Sequence, residues 1–207
     1  MLMTGRDRIA HMIYSPLRIV VVLFLVLAVP CCGGNTVVRT GFIPRNIPMM
    51  KSAESEETSS YKAKGFALSQ YGAVKVEPIR SPPMGDLKVQ AEELDELRRR
   101  FEAGLQQALK ATGGTGDRVL VVRGEITAIK PNNPLLNVAP QTQILKRGYG
   151  YAACEIYATD GADGRVVAAW MNTQDTQRIG SEKLSELGTA KKACDEWGPA
   201  FRKFLTD

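Results

Sequence analysis

Leu94, Leu97, Phe101, Leu105 and Leu109 recur at spacings of three and four, and this single apolar stripe constrains the chain more than any other feature. Residues so spaced share one face of a helix, so the interval from Leu87 to Ala111 is read as an amphipathic helix. Glu92, Glu93, Arg98 to Arg100 and Gln106 fall on its polar side. One stripe needs one covering surface, and the next segment supplies it. "RVLVVRGEITAIK", residues 118–130, alternates as a half-buried strand does, with Leu120, Val122, Ile126 and Ala128 on one face. Between them "TGGTGD" stops the helix with glycines that accept positive φ.

The remaining elements follow from the same two periods. "AVKVEPI" (73–79) alternates as a short strand ending at Pro78; "SPPMGD" breaks it and places Asp86 to cap the helix that follows. Residues 150–173 read as two strands joined by "DGADG", whose Asp and Gly residues suit a tight turn. Leu184, Leu187, Ala190, Cys194 and Trp197 trace a second helical stripe. Gly198-Pro199 interrupts it, predicting a kink or a separate last helix carrying Phe201, Phe204 and Leu205. The order β-α-β-β-β-α predicts an α+β fold: a four-stranded, mostly antiparallel sheet with two main helices packed on one face.

Ahead of this domain, Arg18 precedes "IVVVLFLVLAV", eleven apolar residues from Ile19 to Val29. A helix needs roughly 20 residues to span a bilayer, so the run has the length of a signal-peptide core. Cys31 and Cys32 come directly after Pro30, and the pair resembles a bacterial lipobox, in which a cysteine takes a lipid and becomes the first residue after cleavage. Cys32 is the expected lipidation site and Cys31 the alternative; a plain cleaved signal peptide or an uncleaved anchor are the competing readings. Gly33, not Asp, follows Cys32, so the inner-membrane retention signal is missing and the expected location is the periplasmic face of a Gram-negative outer membrane. The chain thus divides into a leader (1–31), a lipidated N-terminus and tether with an ordered patch at "TGFIP" (32–65), and a periplasmic α+β domain (66–207).

The formal net charge of +5 weakens on processing, since three Arg and one Asp lie in the leader, leaving 24 basic and 21 acidic residues. Nucleic acid is not an expected partner of so small a surplus on an exported chain. The only histidine, His11, is also in the leader, so the mature domain lacks histidine-activated nucleophiles and histidine metal ligands. No metal and no cofactor are expected. "GGTG" (113–116) follows a helix and precedes a strand, the reverse of a phosphate loop. "SSYK" (59–62) matches Ser-x-x-Lys only as letters within the polar tether. Arg98 to Arg100 read as a solvated, ion-paired surface, with anionic lipid the alternative contact.

Cys154 on a strand and Cys194 on a helical stripe form a candidate disulfide; closing a loop of about 40 residues would contribute about 4 kcal/mol. Two buried thiols that never meet are the plainer reading. The loop from Pro131 to Gly150 is long and carries Leu135, Leu136, Val138, Ile144 and Leu145, too apolar for an idle loop, with Lys146, Arg147 and Tyr149 as a polar rim. It is read as a docking surface or as a cover over the sheet.

With these elements in place, the chain resembles a family of bacterial outer-membrane lipoproteins classed only as a domain of unknown function. The resemblance rests on "TGFI" (40–43), "YGAVKVEPI" (71–79), "RGEITAIKPNNPLLN" (123–137), "GYAACEIYATDGADGRVVAAW" (150–170) and the C-terminal helix bearing Trp197. It departs from the family pattern at Cys154, Cys194 and Gly198-Pro199. It implies the location and the fold, and no activity. The expected function is a non-enzymatic module binding an envelope protein or component; the alternatives are a hydrolase using acids such as Asp160 and Asp163, and a structural spacer.

Overall fold

The computed structural model describes residues 39–53, 55–83, 87, 89–110, 114–138, 148–176 and 180–207. Cys31, Cys32, Asp86, Ile144, Leu145, Lys146 and Arg147 lie outside the described residues. Six strands, β1 (Met50–Lys51), β2 (Thr58–Lys62), β3 (Tyr71–Val76), β4 (Arg118–Lys130), β5 (Tyr151–Asp160) and β6 (Val166–Asp175), form one sheet in the order β1-β2-β6-β5-β4-β3. The described helices are α1 (Ala91–Lys110), α2 (Pro134–Val138) and α3 (Gly188–Thr206), with 3-10 turns at Leu68–Gln70 and Ser181–Leu184. Among the described residues no helix is long and apolar enough to cross a membrane.

The sheet corrects the four-stranded, mostly antiparallel expectation: it has six strands and is mixed. β3 and β4 run parallel, because α1 lies between them in the chain and carries it back to start the second strand from the same end. β1 and β2 come from the region read as tether. "TSSYK" shows no apolar alternation, yet its main chain pairs along β6 from Thr58 opposite Asn172 to Lys62 opposite Ala168.

α1 and α3 pack against each other and over one face of the sheet. Leu97, Phe101 and Leu105 of α1 and Trp197 and Phe201 of α3 are buried there with Leu120, Ile126, Cys154, Ile156 and Trp170. The rings of Phe101 and Trp197 meet at 4.9 Å between centroids. The helices approach so closely at Gly104 and Gly198 that a Cβ on Gly198 would stand 2.5 Å from the Gly104 carbonyl oxygen. This packing also overrides the expected break at Pro199: α3 is one helix from Gly188 to Thr206, anchored by Trp197 before the proline and by Phe201 and Leu205 after it. Leu184 is not on that helix; it sits in the preceding 3-10 turn and is 58% exposed. In β4 the register shifts between Ile126 and Ala128, and this bulge moves the inward position from Ala128, as expected, to Ile129.

The opposite face is covered by the segment preceding β1. Ile43 is buried with Ala169 and Met171, and the Phe42 ring lies 5.1 Å from that of Tyr157. At its centre Glu155 of β5 is fully buried. One carboxylate oxygen accepts from the Thr40 backbone N–H at 2.5 Å and the Thr40 hydroxyl at 2.9 Å, and the other accepts from the Ile43 N–H at 2.8 Å. Arg39 closes the segment on itself by donating to the carbonyls of Pro44 and Ile47. Glu125 of β4 stands directly opposite Glu155 in the ladder. Burial, and then the charge of Glu155, push the Glu125 carboxyl above its ordinary pKa, against the pull of Arg80.

A carboxyl with a raised folded-state pKa adds stability while it is protonated and loses that contribution as pH rises through the shifted value. The Glu125→Gln variant is therefore expected to melt above the wild type at pH 7 to 8, the difference closing towards about pH 4. Thermal unfolding across that range checks it; a difference constant with pH would refute the assignment.

Candidate functional site

The segment "PNNPLLN" turns the chain from β4 towards β5 and is tied down by asparagines. The Asn132 amide donates to the carbonyls of Glu182 at 2.8 Å and Ser185 at 2.7 Å. Its side-chain oxygen accepts from the Gly150 N–H at 2.7 Å, the Thr176 hydroxyl at 2.6 Å and the Thr189 hydroxyl at 3.1 Å. One buried side chain thus joins the end of β4, the starts of β5 and α3, the residue after β6 and the turn before α3. Asn133 accepts from the Leu136 N–H through its side chain at 3.3 Å, capping α2, and Asn137 donates to the Lys183 carbonyl at 2.8 Å.

This brace presents apolar residues to solvent. Leu135 is 87% exposed and Leu136 also faces out, beside the exposed Leu184 of the 3-10 turn against which α2 packs. Val138 closes α2, and its side chain lies outside the described residues. Tyr149 departs from its expected place on a polar rim: it is buried. Gly150 beside it is bonded to Asn132, which draws this stretch inward.

A second feature arises on the helix side, where β2 extends the sheet beyond α3. A groove of about 980 Å³ runs between them, lined among others by Ser60, Lys62, Asn172, Gln174, Glu196 and Phe204. Lys62 donates to the Phe204 carbonyl at 2.6 Å and lies 4.8 Å from the centre of its ring. Burial pulls the Lys62 ammonium below its ordinary pKa, opposed by the charge of Asp207. The Trp197 indole N–H donates to Asn172 at 3.0 Å, fastening α3 to β6. Successive strand residues face opposite sides, so Ser59 and Lys62 diverge and the Ser-x-x-Lys match carries no chemistry. Sequence reading missed this groove, because its strand wall lies in the supposed tether and carries no apolar alternation that would mark it as strand.

The other candidates are structural in their surroundings. Asp160 is buried, ion-paired with Arg118, and accepts from the Ala162 N–H at 3.0 Å; Asp163 is exposed and accepts from the Arg165 N–H at 2.9 Å. Both close the β5–β6 turn. Cys154 and Cys194 are buried free thiols, with no disulfide between them. Burial pushes Cys194 up to about 12 and Cys154 well above its ordinary value, so neither is a ready nucleophile. Arg98 and Arg100 of the basic run pair with Asp95 and Asp195.

Replacing Asn132 with Ala removes two donated and three accepted side-chain hydrogen bonds at once, leaving Gly150, Thr176 and Thr189 bonded only to one another. Asn132→Ala is expected to cost on the order of 2–3 kcal/mol in urea unfolding, with faster amide exchange at Gly150. A loss under about 0.5 kcal/mol would show that the brace is dispensable.

No curated protein matches the chain in sequence. Among solved structures it is similar to a PelC variant dodecamer from Paraburkholderia phytofirmans, at 13% identity over 72% of this chain and 98% of that one, with a TM-score of 0.47. It is also similar to a Caulobacter crescentus protein described as a candidate lipoprotein, at 9% identity over 67% and 89% of the two chains and a TM-score of 0.37. A Xanthomonas campestris protein of the DUF330 family matches at 11% identity over 68% and 86%, with a TM-score of 0.37. A family model described as a protein of unknown function, DUF3313, matches residues 48–201. That span takes in all six strands and reaches well into α3, and it establishes that the chain belongs to the DUF3313 family.

Proposed function

We propose that this chain is a lipid-anchored protein of the bacterial outer membrane whose periplasmic domain is a binding module without catalytic activity. Cys32, at the end of the apolar leader, carries the lipid in this reading, with Cys31 the alternative position. Multiple acyl chains make such anchoring stable, each buried methylene contributing about 0.8 kcal/mol.

The observation that carries the binding role is Leu135, in water on a turn braced by Asn132, Asn133 and Asn137. A turn whose backbone is already braced has little backbone entropy left to lose on docking, and its exposed leucine gains the burial of its surface. Leu135, Leu136 and Leu184 together form the face for another envelope component. A hydrolase is the weaker reading: Asp160 is engaged by Arg118, and Glu57, Glu196 and Asp207 along the groove are exposed to solvent. A spacer gives no reason for the exposed leucines.

Two measurements test this reading. Labelled palmitate is expected in the wild type and in Cys31→Ser, and absent from Cys32→Ser; label retained in Cys32→Ser overturns the assignment to Cys32, and label absent from the wild type, or retained when both cysteines are replaced, refutes lipidation at this pair. The double variant Leu135→Asp/Leu136→Asp is expected to fold with stability within about 1 kcal/mol of wild type and to lose its envelope cross-links at this turn by roughly tenfold or more. Undiminished cross-linking removes the docking role.

A further inference from the structure

The two margins of the sheet are unequal. β1 ends one side with two residues, too few to template a further strand. β3 ends the other with six, Tyr71–Val76, and among the described residues is paired on one side only, to the first half of β4. The Glu77 N–H donates to the Val122 carbonyl at 2.9 Å, which fixes the direction of each main-chain group along this edge. In a parallel ladder alternate residues bond to the neighbour, so Lys75 and Ala73 turn their main chain to β4, and Val74 and Val76 turn theirs outward.

The side chains of Val74 and Val76 are half-buried and, with Leu109 of α1, line a groove of about 490 Å³ running beside the strand; Gln106 and Lys110 lie along it. Donors and acceptors at strand spacing are satisfied by another extended backbone, and the alternate side chains of that backbone would drop into this groove. Charge selects the partner. Lys75 and Lys110 are exposed and have no ion pair among the described residues, whereas Arg118 and Arg123 at the same margin are each held by a carboxylate, Asp160 and Glu77. Two such edges from copies of this chain would set lysines against lysines, which disfavours self-pairing.

We infer that β3 is a site of strand addition for an extended acidic segment of a partner protein, one whose apolar side chains seat against Val74, Val76 and Leu109 while the alternating carboxylates share the opposite face with Lys75, Lys110 adding positive charge along the groove. This surface is separate from the Leu135 turn: β3 flanks the first residues of β4, and α2 follows its last.

The test uses the full chain in detergent micelles, with amide-resolved hydrogen exchange across residues 71–77. The probe is a capped hexapeptide of alternating Glu and Val, with an alternating Lys and Val hexapeptide as control. The acidic probe is expected to slow exchange at Val74 and Val76 by roughly tenfold at about millimolar concentration, and the basic one to leave it unchanged. Equal protection by both, or by neither, overturns the proposal. So does protection that grows with protein concentration without peptide, which would assign the edge to a second copy. Val74→Pro removes an outward N–H at an edge position and is expected to abolish the effect. If that variant fails to fold, the surface pair Lys75→Glu/Lys110→Glu serves instead: it should reverse the preference between peptides, and an unchanged preference refutes the site.

Discussion

A buried carboxylate in the middle of the central sheet organises this protein. Glu155 has no solvent exposure, and a charge so placed is tolerable only when its oxygens are fully engaged. The partners come from more than a hundred residues earlier, at Thr40 and Ile43, so the strand and the N-terminal segment are stable only together. That segment in turn shields Ala169 and Met171, which would otherwise leave the sheet with one wet apolar face. The cost of crowding a second acid alongside falls on Glu125, which keeps some access to water.

On the helix side the constraint is closeness, not charge. Gly198 lets the backbone of α3 approach that of α1 at Gly104 within a distance that a side chain at Gly198 would forbid, and the Phe101 and Trp197 rings meet beside them. Such packing explains how α3 accommodates a proline without ending. At the far end of the sheet the task is different again: several chain segments must meet without leaving polar groups stranded. Asn132 is the hub of that meeting, since an amide supplies two donors and an acceptor with two lone pairs, and the Thr176 and Thr189 hydroxyls complete it.

What could be read from the sequence follows from how local each determinant is. The α1 stripe was legible because Leu94 to Leu109 all serve one face, and the β5–β6 turn because Asp160, Gly161 and Gly164 act within a few residues of one another. β4 was legible up to its bulge, where one extra residue shifts the inward position to Ile129. β2 was not, because Ser59, Ser60 and Lys62 carry no apolar pattern and are strand only through the main-chain edge of β6. The parallel pairing of β3 needed only the observation that a helix separates it from β4. Leu135 and Leu136 could be picked out as apolar residues in a polar loop. Burial of Tyr149 could not, because the knot that causes it joins residues 132, 150, 176 and 189. The long groove was hidden for the same reason, its walls being drawn from β2 and α3.

The attachment of Thr40 to β5 has a mechanical corollary. A pull on the N-terminal end meets first the hydrogen bonds of Thr40 and Ile43 to Glu155, on a strand flanked on both sides by neighbours. Until those bonds yield, β1 and β2 at the margin of the sheet carry none of the load. The clasp thus shields that margin from being peeled open.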